Sequence, residues 1–330
     1  MKQGGCMCSE TVNTDRIHFS PADGNTIVVV QPYDMNQYDL AIAQCLKMLA
    51  QQQKDALHEA AKFFLGSSYF LEPLGEGKDA KYSQEPLYRT DKFDCVSYVN
   101  TVLALIHAKN IVQFRKNILA IRYSKPEIDY TSRTDWFTDL EWIPNAQQLG
   151  WIKDITEGIV DMAGQPIRLI AETAIDKPNW YKVRPLKAMH LLAPLPDPSK
   201  ANVLLTQLQS NSGRFQARSS QLSYLPLNKL FNADGNANTY YFNQIPPGSV
   251  IAIVRPNWDI RNHFPGFPAG YGTNLNVSHL GFAIRTGQDL MFYNASSIHG
   301  RVEAEPLTQY LQKYIHSPTI KGIHIEQIIY

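Results

Sequence analysis

The chain has 330 residues, of which 44% are hydrophobic and 18% are charged, so it is long and apolar enough to bury a full hydrophobic core. Its formal net charge of +1 gives no indication of a basic surface, and nucleic acid is therefore not expected as a partner. No apolar run is long enough to cross a bilayer, and residues 1–10 lack the hydrophobic stretch of a signal peptide. We expect a soluble protein without a transmembrane segment, although an export signal removed beforehand would leave the same pattern.

The N-terminal part of the chain is predicted to be an arm followed by helices. Residues 1–37 are expected to form a polar leader and an extended arm, in which the β-branched run 27–30 follows a turn at 23–25. Apolar residues at helical spacing then indicate two amphipathic helices, the second ending at Gly66 as a C-cap. These apolar residues are Leu40, Ala43, Leu46 and Leu49, then Leu57, Ala60, Ala61 and Phe64. We expect residues 38–330 to form a single domain.

Cys95 is the candidate nucleophile, because it lies where a helix is predicted to begin. Asp94 is a preferred N-cap residue, and Val96, Val99, Val102, Leu103 and Ile106 follow at helical spacing. In the first turn of a helix, unpaired backbone N–H groups and the positive end of the helix dipole favour a thiolate. The alternative is a small core residue, since free cysteine is among the most buried residue types.

Two further segments supply candidate pocket residues. The glycine-rich loop 66–77 leads towards Cys95, so Tyr69 would lie near the thiol or pack as an ordinary aromatic residue. Residues 129–137 interleave aromatic and charged residues, among them Arg133 and Trp136. Aromatic rings beside Arg and Asp suit a pocket wall that grips a polar ligand, although they also suit ordinary packing.

The second half of the chain is predicted to contain an irregular region and then a sheet. Residues 193–248 are rich in proline, asparagine and glycine and are expected to form a loop-rich excursion on the same domain. Runs rich in β-branched and aromatic residues follow at 248–254, 277–285, 290–295 and 320–329. Helices that precede an antiparallel sheet predict an α+β fold.

Residues 277–296 are predicted to form a β-hairpin whose strands carry His279 and Asn294. If the turn is centred on Thr286-Gly287, His279 lies opposite Asn294; if it is centred one residue later, the two are diagonal neighbours on the same face. An amide that orients a histidine leaves the other ring nitrogen for a thiol, which is how cysteine hydrolases activate their nucleophile. The bland alternative is a hydrogen-bonded sheet histidine beside a residue at a strand end.

Seven short blocks of sequence occur in a characteristic order along the chain. They are Leu65–Tyr69, Asp94–Val99, Tyr130–Arg133, Leu222–Pro226, Ile245–Ile251, Val277–Gly281 and Asn294–Ser297. The ordered set resembles the DUF1460 group of NlpC/P60-type cysteine amidases, the N-acetylmuramoyl-L-alanine amidase-like proteins of bacteria. The resemblance implies a papain-like fold in which N-terminal helices pack on a C-terminal antiparallel sheet.

The same resemblance implies a role for each candidate residue. Cys95 would attack, His279 would act first as base and then as acid, and Asn294 would orient His279. Tyr69 would lie near the oxyanion, and Arg133 and Trp136 are hypothetical substrate contacts. The implied substrate is the amide between the lactyl group of N-acetylmuramic acid and L-alanine in peptidoglycan or muropeptides. That substrate implies a bacterial periplasmic or secreted protein.

Three positions depart from the family pattern. Asn294 stands where the family often has histidine, Asn100 where an acidic residue is expected, and Asp135 where a histidine is expected beside Arg133. An amide can orient an imidazole as another imidazole does, so the first departure leaves the chemistry intact. The other two bear on the sugar or peptide pocket and leave the exact substrate open.

The sequence therefore predicts a metal-free cysteine amidase, with other classes of protein still open. A cysteine endopeptidase would cut within the stem peptide, a non-catalytic module would bind the wall without turnover, and a zinc amidase would need a motif such as HExxH, which is absent. His263 and His299 are competing bases, but both lie in predicted loops. The four cysteines lack the spacing of a zinc site or a disulfide framework, so no cofactor is expected. The oligomeric state is left open. The cysteines are Cys6, Cys8, Cys45 and Cys95.

Overall fold

The computed structural model of the chain describes residues 26–52, 55–259 and 272–330. The predicted turn at 23–25, the cysteines Cys6 and Cys8, and His263 lie outside the described residues. The helices are α1 (Met35–Gln51), α2 (Ala56–Phe63), α3 (Cys95–Ile106), α4 (Ile111–Arg122), α5 (Ile143–Gln148), α6 (Lys177–Lys182), α7 (Pro198–Ser210), α8 (Leu227–Leu230), α9 (Thr239–Phe242) and α10 (Leu307–Gln312). Single 3₁₀ turns lie at Tyr130–Ser132, Thr156–Gly158, Leu186–Ala188 and Asn211–Arg214, and a π-helical turn lies at Thr138–Trp142.

The strands form one large sheet and one small one. They are β1 (Val28–Val30), β2 (Ser68–Tyr69), β3 (Lys92–Phe93), β4 (Ile152–Asp154), β5 (Leu169–Ile175), β6 (His190–Leu192), β7 (Arg218–Pro226), β8 (Ser249–Asp259), β9 (Asn274–Thr286), β10 (Asp289–Ser296), β11 (Arg301–Pro306) and β12 (Gly322–Ile328). The large sheet has the order β3-β2-β11-β10-β9-β8-β12-β7-β5, and β4 pairs with β12. Its pairs are antiparallel apart from β2 with β3, while β1 and β6 form a separate parallel pair. Helices packed on a largely antiparallel sheet confirm the predicted α+β class.

Helix α3 lies in the centre of the main core, and its start is fixed by a capping box. The Asp94 carboxylate accepts the backbone N–H of Ser97 at 2.8 Å, and the Ser97 hydroxyl accepts the backbone N–H of Asp94 at 2.9 Å. Such a cap stabilises a helix by about 0.5–2 kcal/mol. Every residue from Ser97 to Leu105 is buried, because α2 and α4 cover one side of α3 and β9 and β10 cover the other. Cys95 is therefore held at the end of a rigid element.

Strands β9 and β10 form the predicted hairpin, with Thr286 opposite Asp289 and Phe282 opposite Tyr293. The two-residue turn is Gly287-Gln288, and Gly287 takes the positive φ of 63° that a tight hairpin turn requires. The register centred on Thr286-Gly287 is therefore wrong, and the register one residue later is correct. In this register Asn294 lies diagonally across from His279 on the same face of the sheet.

The middle of the chain supplies strands that the sequence patterns did not indicate. Strand β5 pairs with β7 along its whole length, and β7 joins the large sheet through β12. The segment 193–248 thus contains α7, a strand of the large sheet, and the short helices α8 and α9. A second cluster of buried aromatic residues lies beside the main core and includes Tyr130, Phe137, Trp180 and Tyr181.

Candidate active site

The six residues predicted for the site line one pocket at the N-terminal end of α3. Tyr69 comes from β2, Cys95 from α3, and Arg133 and Trp136 from the segment between α4 and α5. His279 and Asn294 come from β9 and β10. The fold therefore brings together residues from the first, middle and last thirds of the sequence.

Cys95 is the first residue of α3, and its thiol is partly exposed to the pocket. Loss of solvent and the neighbouring Asp94 carboxylate raise the pKa of the Cys95 thiol to about 12. Backbone N–H groups of Leu280, Val96 and Cys95 lower that pKa and offset part of the rise. Burial therefore opposes the effect expected from the helix end, and a neighbouring base would assist removal of the thiol proton.

His279 lines the same pocket as Cys95 and is held by a hydrogen bond to Asn294. Its Nε2–H donates to Oδ1 of Asn294 at 2.9 Å, which leaves Nδ1 as the nitrogen with a free lone pair. Burial lowers the pKa of His279 below its ordinary value of 6.5, and the Asn294 hydrogen bond only partly offsets this. The imidazole is therefore neutral at pH 7 and can accept a proton. Asn294 itself is buried, with 1% of its surface exposed.

Asp94 connects helix α3 to the loop that follows Tyr69 through two hydrogen bonds. Its second carboxylate oxygen accepts the backbone N–H of Glu72 at 3.0 Å, while the first caps α3. Burial raises the pKa of Asp94 to about 6. Tyr69 lies close enough to Cys95 and Asp94 for their charges to affect it, although burial is the main cause of its strongly raised pKa. Its phenol therefore keeps its proton and can donate a hydrogen bond into the pocket.

Arg133 and Trp136 form part of an aromatic wall. The Arg133 guanidinium is bound by both oxygens of Glu76, with Nη2 to Oε2 at 2.7 Å, and it is only 3% exposed. The central guanidinium carbon of Arg133, Cζ, lies 4.6 Å from the ring centre of Tyr130 and 5.0 Å from that of Trp136. The charge of Arg133 is thus already balanced within the wall, whereas the partly exposed Trp136 presents its ring to the pocket.

The two remaining departures from the family pattern contact each other. Asn100 donates from Nδ2 to Asp135 at 2.9 Å and accepts a hydrogen bond from the indole N–H of Trp142 at 2.6 Å. Arg122 donates to the other oxygen of Asp135 at 3.2 Å. Asn100 and Asp135 therefore form a hydrogen-bonded pair behind the pocket wall, and Asp135 also lines the pocket.

Tyr310 is a pocket residue that the sequence did not reveal. Its ring, on α10, stacks on His279 with 6.1 Å between ring centres and 23° between planes, and it also packs on Phe292 at 4.6 Å. This contact limits rotation of the imidazole. The only sign in the sequence was an aromatic pair at i, i+4 spacing, Tyr310 and Tyr314, which is usual in any packed helix.

The competing histidine His299 lies outside the pocket lining, and its Nδ1 donates to Glu303 on the neighbouring strand β11. Among residues 26–52, 55–259 and 272–330, no three or more His, Cys, Asp or Glu side chains are grouped to hold a metal ion.

With this geometry described, the chain can be compared with known families. A model of the AmiA-like family, described as N-acetylmuramoyl-L-alanine amidase-like, matches residues 59–320. The chain belongs to the AmiA-like family. The matched range includes every residue of the pocket discussed above. No functionally curated protein matches this AmiA-like chain.

Solved structures of two bacterial proteins share the fold of this AmiA-like chain. A Legionella pneumophila protein of the DUF1460 family is 36% identical, with a TM-score of 0.82 over 90% of this chain and 96% of the other. An N-acetylmuramoyl-L-alanine amidase from Bacteroides uniformis is 24% identical, with a TM-score of 0.54 over 85% of this chain and 100% of the other. The second likeness shows a shared fold only.

Proposed function

We propose that this AmiA-like protein is a cysteine amidase with a papain-like, NlpC/P60-type catalytic core. Its reaction would be hydrolysis of the amide between N-acetylmuramic acid and L-alanine in peptidoglycan or muropeptides. The observation that carries the proposal is the His279 Nε2–H to Asn294 Oδ1 hydrogen bond in the pocket that Cys95 also lines. This bond leaves Nδ1 available to accept a proton from the Cys95 thiol, whose pKa is raised by burial. Membership of the AmiA-like family supports the substrate.

In the first step the Cys95 thiol gives its proton to Nδ1 of His279 as sulfur attacks the lactyl carbonyl carbon. The carbonyl π electrons move to oxygen, and the resulting oxyanion is held by the backbone N–H of Cys95 and by the Tyr69 hydroxyl. Because Cys95 begins α3, its N–H lies at the positive end of the helix. Tyr69 is suited to this role because its raised pKa keeps the phenol protonated.

In the second step the oxyanion collapses and the carbon–nitrogen bond breaks. The protonated His279 gives its proton to the departing amino group of L-alanine, which leaves a thioester between Cys95 and the lactyl group. A water molecule then attacks the thioester while His279 takes its proton. Collapse releases the lactyl carboxyl group and returns the proton to Cys95. Asn294 keeps the imidazole in one tautomer through both halves of the reaction.

Substrate contact is assigned to the aromatic wall. Trp136 presents part of its ring to the pocket and suits the apolar face of a sugar, whereas Arg133 acts through its position because Glu76 balances its charge. We expect Trp136→Ala to raise KM about tenfold with a smaller change in kcat, since the contact is made before and during reaction. Steady-state kinetics on a synthetic N-acetylmuramoyl-L-alanyl peptide measure this, and an unchanged KM would remove Trp136 from the substrate site.

The proposed substrate also implies extracytoplasmic action, in the periplasm or outside the cell. No helix in the described part of the chain is long and apolar enough to span a membrane. We further propose that residues 38–330 act as one catalytic domain, because the pocket draws its residues from α3, the middle segment and the C-terminal strands.

The test is mass spectrometry of muropeptides incubated with the parent protein, Cys95→Ala and Cys45→Ala, each with and without a chelator. Cys45 is the matched control because it is a fully buried thiol in α1, remote from the pocket lining. We expect the parent and Cys45→Ala to separate sugar from peptide with chelator present, and Cys95→Ala to release no product.

Each other outcome contradicts a different part of the proposal. Shortened stem peptides with the sugar still attached would indicate an endopeptidase. Turnover by Cys95→Ala, or loss of turnover with chelator alone, would contradict the cysteine mechanism. Binding of muropeptides by the parent without any turnover would indicate a wall-binding module.

A further inference from the structure

Strand β11 places a carboxylate beside the residue that orients the proposed base. Glu303 is the direct cross-strand partner of Asn294 in the β10–β11 pair. Side chains of such partners point to the same face, with Cβ atoms about 4.5–5.5 Å apart. His279, Asn294 and Glu303 therefore form a row across three neighbouring strands, β9, β10 and β11.

The Glu303 carboxylate is held in place and is partly shielded from water. His299 donates to it from Nδ1, and Nε of Arg301 lies 4.0 Å from its other oxygen. The Glu303 side chain is 16% exposed, whereas those of His299 and Arg301 are 48% and 64% exposed. The two cationic or protonatable partners therefore lie on the solvent side. The charge of Glu303 acts on the interior with less screening than a surface charge would.

The orientation of the Asn294 side-chain amide can respond to the charge of Glu303. The amide nitrogen Nδ2 is buried and has no hydrogen-bond partner among the described residues, so the side chain is fixed directly only through its oxygen. An amide can flip about its last bond and exchange oxygen for nitrogen. A neighbouring negative charge attracts the NH₂ end, which keeps Oδ1 turned towards the Nε2–H of His279.

We propose that Glu303 is a positioning residue for the Cys95–His279–Asn294 site. Its carboxylate selects the orientation of the Asn294 amide and stabilises His279 when that histidine becomes protonated, and His299 holds the carboxylate in place. The inference rests on the proposed cysteine mechanism and adds to it a fourth polar group from a neighbouring strand.

The other titratable or charged groups that line the pocket do not account for this effect, because none of them is among the causes of the shifted His279 pKa. They are Tyr69, Glu72, Asp94, Cys95, Arg133, Asp135, Arg255, Tyr310 and Tyr314. Burial is the main influence on the pKa of His279 and lowers it, while the Asn294 hydrogen bond and then the Glu303 charge raise it. Glu305, two residues along β11, pairs instead with Lys313 at 2.7 Å.

The experiment measures the pKa of His279 by NMR titration of its ring in a Cys95→Ala background, which needs no substrate. Glu303→Gln keeps the shape and removes the charge, and we expect a downward shift of roughly half to one pH unit. Glu303→Asp should restore most of the shift. Glu305→Gln is the matched control, because Glu305 lies on the same face of β11 and its side chain is 20% exposed, but it pairs with Lys313. It should leave the pKa of His279 unchanged.

A second measurement uses the intact thiol. The rate of Cys95 alkylation by iodoacetamide at pH 7 should fall severalfold in Glu303→Gln, since the state with thiolate and protonated His279 loses its nearby carboxylate. An unchanged His279 pKa in Glu303→Gln, or equal shifts in Glu303→Gln and Glu305→Gln, would overturn the positioning role.

The two proposals fail separately. If the His279 pKa shifts as expected while the parent cleaves no muropeptide, Glu303 keeps its role and the substrate assignment is lost. If muropeptides are cleaved and the pKa does not respond to Glu303, the amidase stands and the positioning role is lost.

Discussion

Two histidines on the same sheet, the partly buried His279 and the buried His324, show how the hydrogen-bond partner affects the pKa of an imidazole. His279 on β9 uses one ring nitrogen, which donates to the neutral amide of Asn294, and burial lowers its pKa. His324 on β12 uses both: Nδ1 donates to the Ser223 carbonyl at 2.9 Å and Nε2 donates to Glu326 at 2.8 Å. Burial alone would lower the pKa of His324, but the hydrogen bond and charge of Glu326 outweigh it and raise that pKa. With the amide as partner the pKa of the histidine stays lowered, whereas with the carboxylate as partner it is raised.

The largest expected effect separates the two histidines by activity. His279→Ala should reduce kcat/KM by about 10⁴-fold, because among the described residues His279 is the only histidine that lines the pocket with Cys95. His324→Ala, assayed where it remains folded, should retain the kcat/KM of the parent. A loss of similar size in both variants, corrected for folded fraction, would mean that the distinction between base and structural cation is wrong.

The same comparison predicts that replacing His324 lowers the stability of the protein. His324→Ala should lower the free energy of unfolding by about 3–5 kcal/mol, since Glu326 would stay buried without its cation. Urea denaturation measures this. The double variant His324→Phe/Glu326→Leu should recover much of the loss, because it removes both buried charges. Equal stability of His324→Ala and the parent would show that the pair contributes nothing to folding.

Giving His279 a carboxylate partner, as His324 has, is expected to have a smaller effect on activity. Asn294→Asp would give His279 the kind of partner that His324 has, and a carboxylate at hydrogen-bonding distance raises a histidine pKa by about 1–3 units. More of the base is then protonated at a given pH, so the acidic limb of kcat/KM moves to higher pH and activity at pH 6 falls by about 10- to 100-fold. An acidic limb that stays in place would separate that limb from His279.

The last prediction concerns the parent protein and the pH at which the acidic limb of its kcat/KM profile lies. Because the pKa of His279 is lowered from 6.5, the neutral base persists into mildly acidic solution. Activity is lost only as the pH falls through that lowered pKa, so the midpoint of the acidic limb should lie below pH 6.5. A pH profile of kcat/KM measures this, and a midpoint above pH 6.5 would contradict the assignment.

Local patterns in the sequence were sufficient to place Cys95 at the start of α3 and nearly sufficient to place His279 and Asn294 in one hairpin. Asp94 and the apolar spacing after Cys95 located the start of α3, because a cap and a helix depend on residues near one another. The hairpin was equally local, but its register depended on which side of Gly287 the turn fell, and the pattern allowed both.

What the sequence could not supply depends on long-range pairing. Glu303 reaches Asn294 only because β11 pairs with β10 in one register, and Tyr310 reaches His279 only because α10 packs back onto the sheet. The contact between Asn100 and Asp135 explains two departures from the family pattern that look unrelated in the sequence. Such contacts leave no periodic signal in one chain.

The separation of the site between the two ends of the chain has a consequence during biosynthesis. The ribosome makes the sequence of α3, with Cys95, long before it makes β9 and β10, which carry His279 and Asn294. A chain still being synthesised therefore has Cys95 without the two residues proposed to act with it. Under the proposed mechanism, hydrolysis would begin only when the last strands join the sheet, and the order of synthesis would keep the nascent protein inert.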